Sequence, residues 1–328
     1  MDVGALVADA KRGRPRAVAR LITLIENATA VPGGVDPLRE VMAAFAAERG
    51  PGGAGGRRGP YGARVIGLTG SPGVGKSTST GMLIRALRKR GQRVGVLAVD
   101  PSSPFTGGAL LGDRVRMQEH ATDPEVFIRS MASRGHLGGL AWATPQALRV
   151  LDAAGCDVIL VETVGVGQAE VDVARLADTT IVLLAPGMGD GIQAAKAGIL
   201  EVADVFVVNK ADRDDAHAVV RELRNMVALV HAPWKPPIVS TVASKGEGVD
   251  DLLAALDKHA AYLDESGELR RRRLARARDE IETIALAQLR ARFALAGRER
   301  RLDLLAERLL AAETDPYTAA DDLLSSLG

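Results

Sequence analysis

Gly70-Ser71-Pro72-Gly73-Val74-Gly75-Lys76-Ser77 decides the fold. This stretch fits G-x-x-x-x-G-K-[ST], the phosphate-binding P-loop. Its surroundings suit that reading. Residues 64–69, Arg-Val-Ile-Gly-Leu-Thr, read as a short buried strand, and residues 76 to 90 read as a helix closed by Gly91. In this order the glycines let backbone N–H groups close around a phosphate, and the positive end of the helix dipole faces it. Lys76 would reach the β and γ oxygens, and the Ser77 hydroxyl would hold Mg²⁺. The candidate nucleotide segment extends to Thr78. A glycine-rich turn that binds nothing would leave the lysine, the hydroxyl and both flanking elements without a purpose.

A second motif points to the base. Residues 205–212 are an apolar run that leads straight into Asn209-Lys210-Ala211-Asp212. The Asp212 carboxylate can only accept hydrogen bonds. Guanine offers two donors on one edge, at N1 and N2, and a carboxylate matches both. Adenine has no donor at N1. A polar group left unpaired costs about 1–3 kcal/mol, so GTP is preferred over ATP. The Lys210 stem can lie across the purine face, and Asn209 can tie its loop back to the P-loop.

Composition sets the outer limits. The chain has 328 residues, 47% hydrophobic and 25% charged, with a net charge of +1. That balance is globular, and it gives no global case for nucleic acid or an anionic membrane. Aromatics are only 3% of the chain, which argues against stacking platforms for single strands. Cys156 is the only cysteine, which excludes disulfides within the chain and fits a reducing cytoplasm. No apolar run approaches the roughly 20 residues needed to span a bilayer. The start, Met1-Asp2-Val3-Gly4-Ala5, has no basic region followed by an apolar core, so no signal peptide is expected.

Residues 1–60 read as an N-terminal helical arm and linker. Pro15 suits a first helical position, and Val18, Leu21, Ile22 and Ile25 form one helical stripe. A second helix is expected from Asp36-Pro37, with Leu38, Val41, Met42 and Phe45 as its stripe. Residues 50–56, Gly-Pro-Gly-Gly-Ala-Gly-Gly, read as a flexible linker. Residues 61–262 then alternate short apolar runs with helical patterns. Strands are expected at 64–69, 93–99, 126–129, 157–161, 180–184, 205–208 and 237–241. Their near-continuous Val, Ile and Leu content suits an α/β fold with a mainly parallel sheet covered on both faces. Ligands of such sheets sit beyond the carboxyl ends of the strands. Gly70, Asp100, Glu162, Pro186 and Asn209 all fall there.

Residues 263–328 are helical and highly charged, with a run from Arg270 to Arg273. Leu274, Ala277, Ile281, Ile284 and Leu289 follow at near-helical spacing. The arginines are expected on a solvated or partner-facing surface, and the apolar stripe is expected to build a homodimer.

Between the two nucleotide motifs lie further carboxylates. Asp100 ends a strand and opens a long Gly, Ser and Pro-rich loop that reaches Asp113, Arg114 and Arg116. Carboxylates and waters are natural ligands of Mg²⁺. Glu162-Thr163-Val164-Gly165 stands where many GTPases have Asp-x-x-Gly. Glu162 could hold a metal-bound water or orient the attacking one, and Gln168 is a second candidate for that work. No built-in arginine finger is visible, so slow hydrolysis accelerated by a partner is expected.

Together, residues 70–77, Asp100-Pro-Ser-Ser-Pro-Phe-Thr-Gly-Gly108, Gly112-Asp113-Arg114, residues 162–168 and Asn209 to Asp212 resemble the MeaB/ArgK family. The likeness spans nearly the whole chain, including residues 16–26 and the segment from Gly187 to Lys196, which resembles a mobile switch. The resemblance implies a homodimeric P-loop GTPase that uses GTP, GDP and Mg²⁺. Its implied partner is an adenosylcobalamin-dependent acyl-CoA mutase, whose cofactor loading it gates and which it protects or reactivates. Residue by residue, phosphate binding falls on Gly70, Ser71, Pro72, Gly73, Val74, Gly75, Lys76 and Ser77. Lys76, Asp100, Asp113, Glu162 and Gln168 become the catalytic set, and Ser77, Asp100, Asp113 and Glu162 the metal set. The base falls to Asn209, Lys210 and Asp212, with Val242, Ala243 and Ser244 as the closing loop. The usual serine of that loop is missing, so only an Ala243 backbone contact to the guanine carbonyl carries over. A metallochaperone GTPase is the first rival, but His120, His136, His217, His231 and His259 are scattered. A kinase for a transport protein is the second, but it has no visible acceptor site.

Overall fold

The structure, a computed structural model, describes residues 2–27, 37–47, 62–101, 118–120, 122–133, 143–163, 168–187, 199–295 and 298–325. Seven parallel strands form one sheet in the order β3-β2-β4-β1-β5-β6-β7. They are β1 (Arg64–Thr69), β2 (Val94–Pro101), β3 (Val126–Ser133), β4 (Val158–Thr163), β5 (Thr179–Leu184), β6 (Val205–Asn209) and β7 (Ile238–Thr241). Every residue of β4, β5 and β6 is buried, as strands covered on both faces require. β1 lies between β4 and β5, in register Leu68↔Glu162 and Leu68↔Ile181. The segments that leave β1, β4 and β5 therefore emerge side by side at the carboxyl edge.

Helices cover both faces. On one, α4 (Lys76–Lys89) presents Met82, Leu83, Ile84 and Leu87 to Val94, Val96, Val158 and Leu160. On the other lie α1 (Val3–Lys11), α2 (Pro15–Asn27), α3 (Pro37–Ala47), α5 (Thr144–Ala153) and α6 (Gln168–Leu176). The expected α2 stripe of Val18, Leu21, Ile22 and Ile25 is at most 2% exposed and shares a core with Leu148, Leu97 and Val161. The arm is thus packed into the sheet's own core. Arg129 of β3 fastens it by pairing with Glu26 and by donating to Thr23 Oγ1 at 3.1 Å. The short α7 (Ile199–Val202) precedes β6, and α8 (Ala216–Ala228) packs Ala216, Val219 and Leu223 on Phe206 and Val208. α9 (Val249–Glu265) adds Leu252, Leu253 and Leu256 to the α4 side.

The chain ends in α10 (Glu268–Leu295), α11 (Arg298–Leu310) and α12 (Pro316–Ser325). Here the arginine run departs from expectation. Arg272 donates to both Asp204 carboxylate oxygens at 2.8 and 2.9 Å, and Arg273 donates to Asp178 Oδ2 at 2.8 Å. Arg276, one turn on, donates to Asp178 Oδ1 at 3.0 Å. Only Arg270 and Arg271 of the run face solvent. The spacing explains it, because residues three and four apart share a helical face. Asp178 and Asp204 stand just before β5 and β6, at the sheet edge opposite the P-loop, and are 4% and 5% exposed. Asp178 also accepts from Val65 N and Asp204 from Thr180 N, so each carboxylate joins neighbouring strands. His259 is fully buried beside them, its ring 2.9 Å from Thr179 Oγ1 and 3.3 Å from Asp204. Of the scattered histidines, this one is a core residue. Beyond the arginines, Ile281, Leu302, Leu304, Leu310 and Tyr317 are exposed. Among the described residues no helix is long and apolar enough to cross a membrane.

Burial pushes the Asp178 carboxyl up, but the Arg273 hydrogen bond, the charges of Arg276 and Arg273 and the Val65 N–H pull it further down, to a net position below the usual carboxylate range. A depressed carboxyl stabilises the fold above its unfolded value, and that contribution fades as pH falls through the carboxylate range. Asp178→Ala is therefore expected to cost about 3–5 kcal/mol at neutral pH, because it removes the buried carboxylate that Arg273 and Arg276 share. Urea unfolding should show the gap to wild type narrowing on acidification. An unchanged neutral midpoint would refute the arginine anchor.

Candidate nucleotide site

The turn from β1 into α4 takes backbone angles that glycine adopts freely and other residues do not. Gly70, Gly73 and Gly75 have φ of 141°, 81° and 96°. A Cβ on Gly70 would strike the Leu183 carbonyl of β5, and one on Gly75 would strike the Asn209 amide. The loop is pressed against two neighbours, and only glycine fits those two places. Lys76, 8% exposed, turns back over the loop and donates to Gly70 O at 2.6 Å and Ser71 O at 3.2 Å. Its ammonium thus already sits over the cradle, held by acceptors that phosphate oxygens could replace. Thr78 is exposed at the first turn of α4.

Glu162 closes the site from β4. It is 1% exposed and accepts from Ser77 Oγ at 2.7 Å and Thr80 Oγ1 at 2.8 Å. Thr80 Oγ1 is also 3.1 Å from Lys76 O. Two hydroxyls one turn apart on α4 hold the carboxylate at the end of its strand. Thr80 was not singled out from the sequence. Its position three residues after Ser77, on the same helical face, was the signal available. The Ser77 hydroxyl and Glu162 carboxylate form an all-oxygen donor pair, which fits a hard cation such as Mg²⁺. Asp100 is the next-to-last residue of β2, in register with Ala132 of β3. Its side chain, that of Gln168 at the start of α6, and all of Asp113, Arg114 and Arg116 lie outside the described residues. So does the segment after Gly187, through Lys196.

The base motif starts on the last residue of β6. Asn209, 3% exposed, donates from Nδ2 to Val74 O at 2.8 Å. Its Oδ1 accepts from Ala243 N at 3.0 Å and from Thr241 Oγ1 at 3.3 Å. One side chain therefore joins the P-loop to the loop after β7. Lys210 takes the left-handed conformation, φ 58°, and its ammonium donates to Gly73 O at 2.7 Å. Its stem is laid from the base loop toward the phosphate loop. Asp212 is exposed and pairs with Lys245 Nζ at 3.2 Å. The Lys245 hydrogen bond is the main reason its carboxyl sits below the usual range. Val242 is buried and bridges to Glu247, while Ser244 is exposed. The Ala243 N–H, expected for the guanine carbonyl, is engaged by Asn209.

A family model described as methylmalonyl Co-A mutase-associated GTPase MeaB matches residues 18–298. A Pyrococcus abyssi protein named as a GTPase is 45% identical over 327 residues, spanning 98% of this chain and 96% of its own. The mouse protein called methylmalonic aciduria type A homolog, mitochondrial, is 35% identical over 268 residues, 80% of this chain and 65% of its own. A crystal structure described as LAO/AO transport system kinase shares the fold, with a TM-score of 0.67 at 24% identity, over 99% of this chain and 97% of that one.

The Gly75 geometry makes a specific demand. Gly75→Ala is expected to weaken guanine nucleotide binding at least about tenfold, through roughly 1–3 kcal/mol of strain and the displaced Asn209 amide. Titration with a fluorescent GDP analogue reads this, with circular dichroism as the control for folding. Undiminished affinity would mean that the loop does not need this close approach.

Proposed function

We propose, from the premise that the chain belongs to the MeaB family of GTPases, that it binds GTP with Mg²⁺ and serves an adenosylcobalamin-dependent acyl-CoA mutase. It gates loading of the cofactor and protects or reactivates the mutase, with hydrolysis as the timer. The observation that carries the nucleotide part is the continuous chain of contacts from Glu162 through Ser77 and Lys76 to the P-loop, and from Val74 through Asn209 to the base loop. The partner is supported by the family description and by the name of the mouse relative.

In this reading the triphosphate takes the Lys76 ammonium from the Gly70 and Ser71 carbonyls. Backbone N–H groups of residues 73–77 close on its oxygens. Ser77 and Glu162 would hold the metal, with Asp100 and Asp113 as further carboxylates. Bound Mg²⁺ supplies charge neutralisation on the phosphate oxygens. Thr80 keeps the Glu162 carboxylate in place when Ser77 turns away from it. Gln168 or Glu162 orients the attacking water. Asp212 takes the guanine N1–H and N2–H₂, and Lys210 lies along the base. The GTPase unit is residues 61–262. The exposed leucines of residues 263–328 supply a homodimer contact, and the protein works in the cytoplasm.

Calorimetry tests the nucleotide reading. Wild type should bind GDP and GTP and discriminate against ATP. Lys76→Ala should abolish binding, and Asp212→Asn should shift preference from GTP to XTP. Equal affinity for ATP, or an Asp212→Asn variant with full GTP affinity, would sink the base assignment. The partner reading is tested by adding a purified acyl-CoA mutase. GTP turnover should rise, and stoichiometric cofactor transfer should depend on GTP.

A further inference from the structure

Glu162 has apolar neighbours in its row of the sheet. In register beside it are Leu68 of β1 and Ala98 of β2, 0% and 1% exposed. Neither side chain can hydrogen-bond. A carboxylate buried between two such neighbours is costly unless donors reach it. The donors come from α4, and they divide the group between them. Ser77 Oγ is 2.7 Å from Oε1, and Thr80 Oγ1 is 2.8 Å from Oε2.

The two hydroxyls are not equivalent. Ser77 belongs to the P-loop motif and is the hydroxyl assigned to the metal. Thr80 lies one turn deeper, fully buried, with no such task. Its Oγ1 is also 3.1 Å from Lys76 O. β-Branching and that carbonyl, four residues back, leave the Thr80 side chain little rotational freedom. The hydroxyl carries one hydrogen. The carboxylate is the nearer acceptor and the charged one, so the hydrogen goes there. Glutamate has one more torsion than aspartate between backbone and carboxylate. Something must fix that torsion if Oε1 is to keep facing Ser77.

We propose that Thr80 is a positioning residue for the metal site. It holds Oε2, so that Oε1 stays aimed at Ser77 Oγ. The site can then use a glutamate where many GTPases have aspartate. An aspartate, one methylene shorter, falls short of the Thr80 hydroxyl, which returns its hydrogen to Lys76 O. The inference rests on the reading of Ser77 and Glu162 as metal-binding, and it adds the residue that orients them.

The test uses the full chain, a fluorescent non-hydrolysable GTP analogue and magnesium titrations. Release of the analogue is followed in EDTA and at rising Mg²⁺, with GTP turnover measured alongside and circular dichroism as the control for folding. Wild type should release the analogue more slowly as Mg²⁺ rises. Thr80→Val keeps the shape and removes the hydroxyl. It should leave release in EDTA unchanged and raise the Mg²⁺ midpoint about tenfold, as expected for a lost hydrogen bond to a charged group. Thr80→Ala repeats the measurement without a new methyl group. At saturating Mg²⁺, kcat should fall while KM for GTP holds. Thr80→Ser should restore most of the midpoint. In a Glu162→Asp background Thr80→Val should change the midpoint no further, because the contact is already lost. A wild-type midpoint in both Thr80→Val and Thr80→Ala, or full additivity with Glu162→Asp, overturns the inference. Faster release in EDTA and in saturating Mg²⁺ alike, unrescued by serine, makes Thr80 a packing residue and overturns it as well. A wild-type protein whose release ignores Mg²⁺ would instead overturn the metal reading of Ser77 and Glu162, which separates the two failures.

Discussion

The side chain of Asn209 is the hinge of the whole arrangement. It is buried at the end of β6, and its amide donates to Val74 O while its carbonyl accepts from Ala243 N and Thr241 Oγ1. An amide can satisfy a carbonyl and an N–H at once from a single uncharged planar group. Aspartate there would face Val74 O with an acceptor, and leucine would leave buried backbone groups unpaired. Because those partners belong to the P-loop and to the end of β7 with the loop that follows it, one buried side chain ties the cradle to the base loop. One glycine of the cradle follows from it. Gly75 must lack a Cβ because Asn209 occupies that space.

The two ends of the sheet use carboxylates in opposite ways. At the carboxyl edge, Glu162 is buried among neutral hydroxyls, Ser77 and Thr80, which can let go when a stronger partner arrives. At the amino edge, Asp178 and Asp204 are buried among guanidinium groups that complete their hydrogen bonding. Desolvation is offset there by full ionic partners, so the pairs are fixed. A GTPase needs both kinds, a site able to change and a frame that does not.

Much of this was legible in the chain. The seven strands were visible as apolar runs, most continuous in β4, β5 and β6, where every residue is buried. β3 was read short, as 126–129, since Arg129, Ser130 and Ser133 interrupt the apolar run of an edge strand. The first helix, Val3–Lys11, went unread, although Asp2 caps it by accepting from Ala5 N. In the site, Lys76, Ser77, Glu162 and Asn209 were singled out by spacing, and the structure brings them into one set of contacts. Thr80 and Lys245 were not, because each acts through a residue far away in sequence. The arginine run shows the same limit. Charges clustered in sequence look solvated until the buried carboxylates that face them are placed, and Asp178 precedes Arg273 by three strands, β5 to β7, and three helices, α7 to α9.

The anchoring of α10 also bears on how far this molecule is modular. A cut near residue 262 follows the change in composition, but it would strip Arg272, Arg273 and Arg276 from two interior acids that tie β1, β5 and β6 together. The catalytic half would keep its pocket on paper and lose the counter-ions beneath its floor. The tail is therefore a keystone of the sheet that carries the pocket, and the fold and the nucleotide site stand or fall with it.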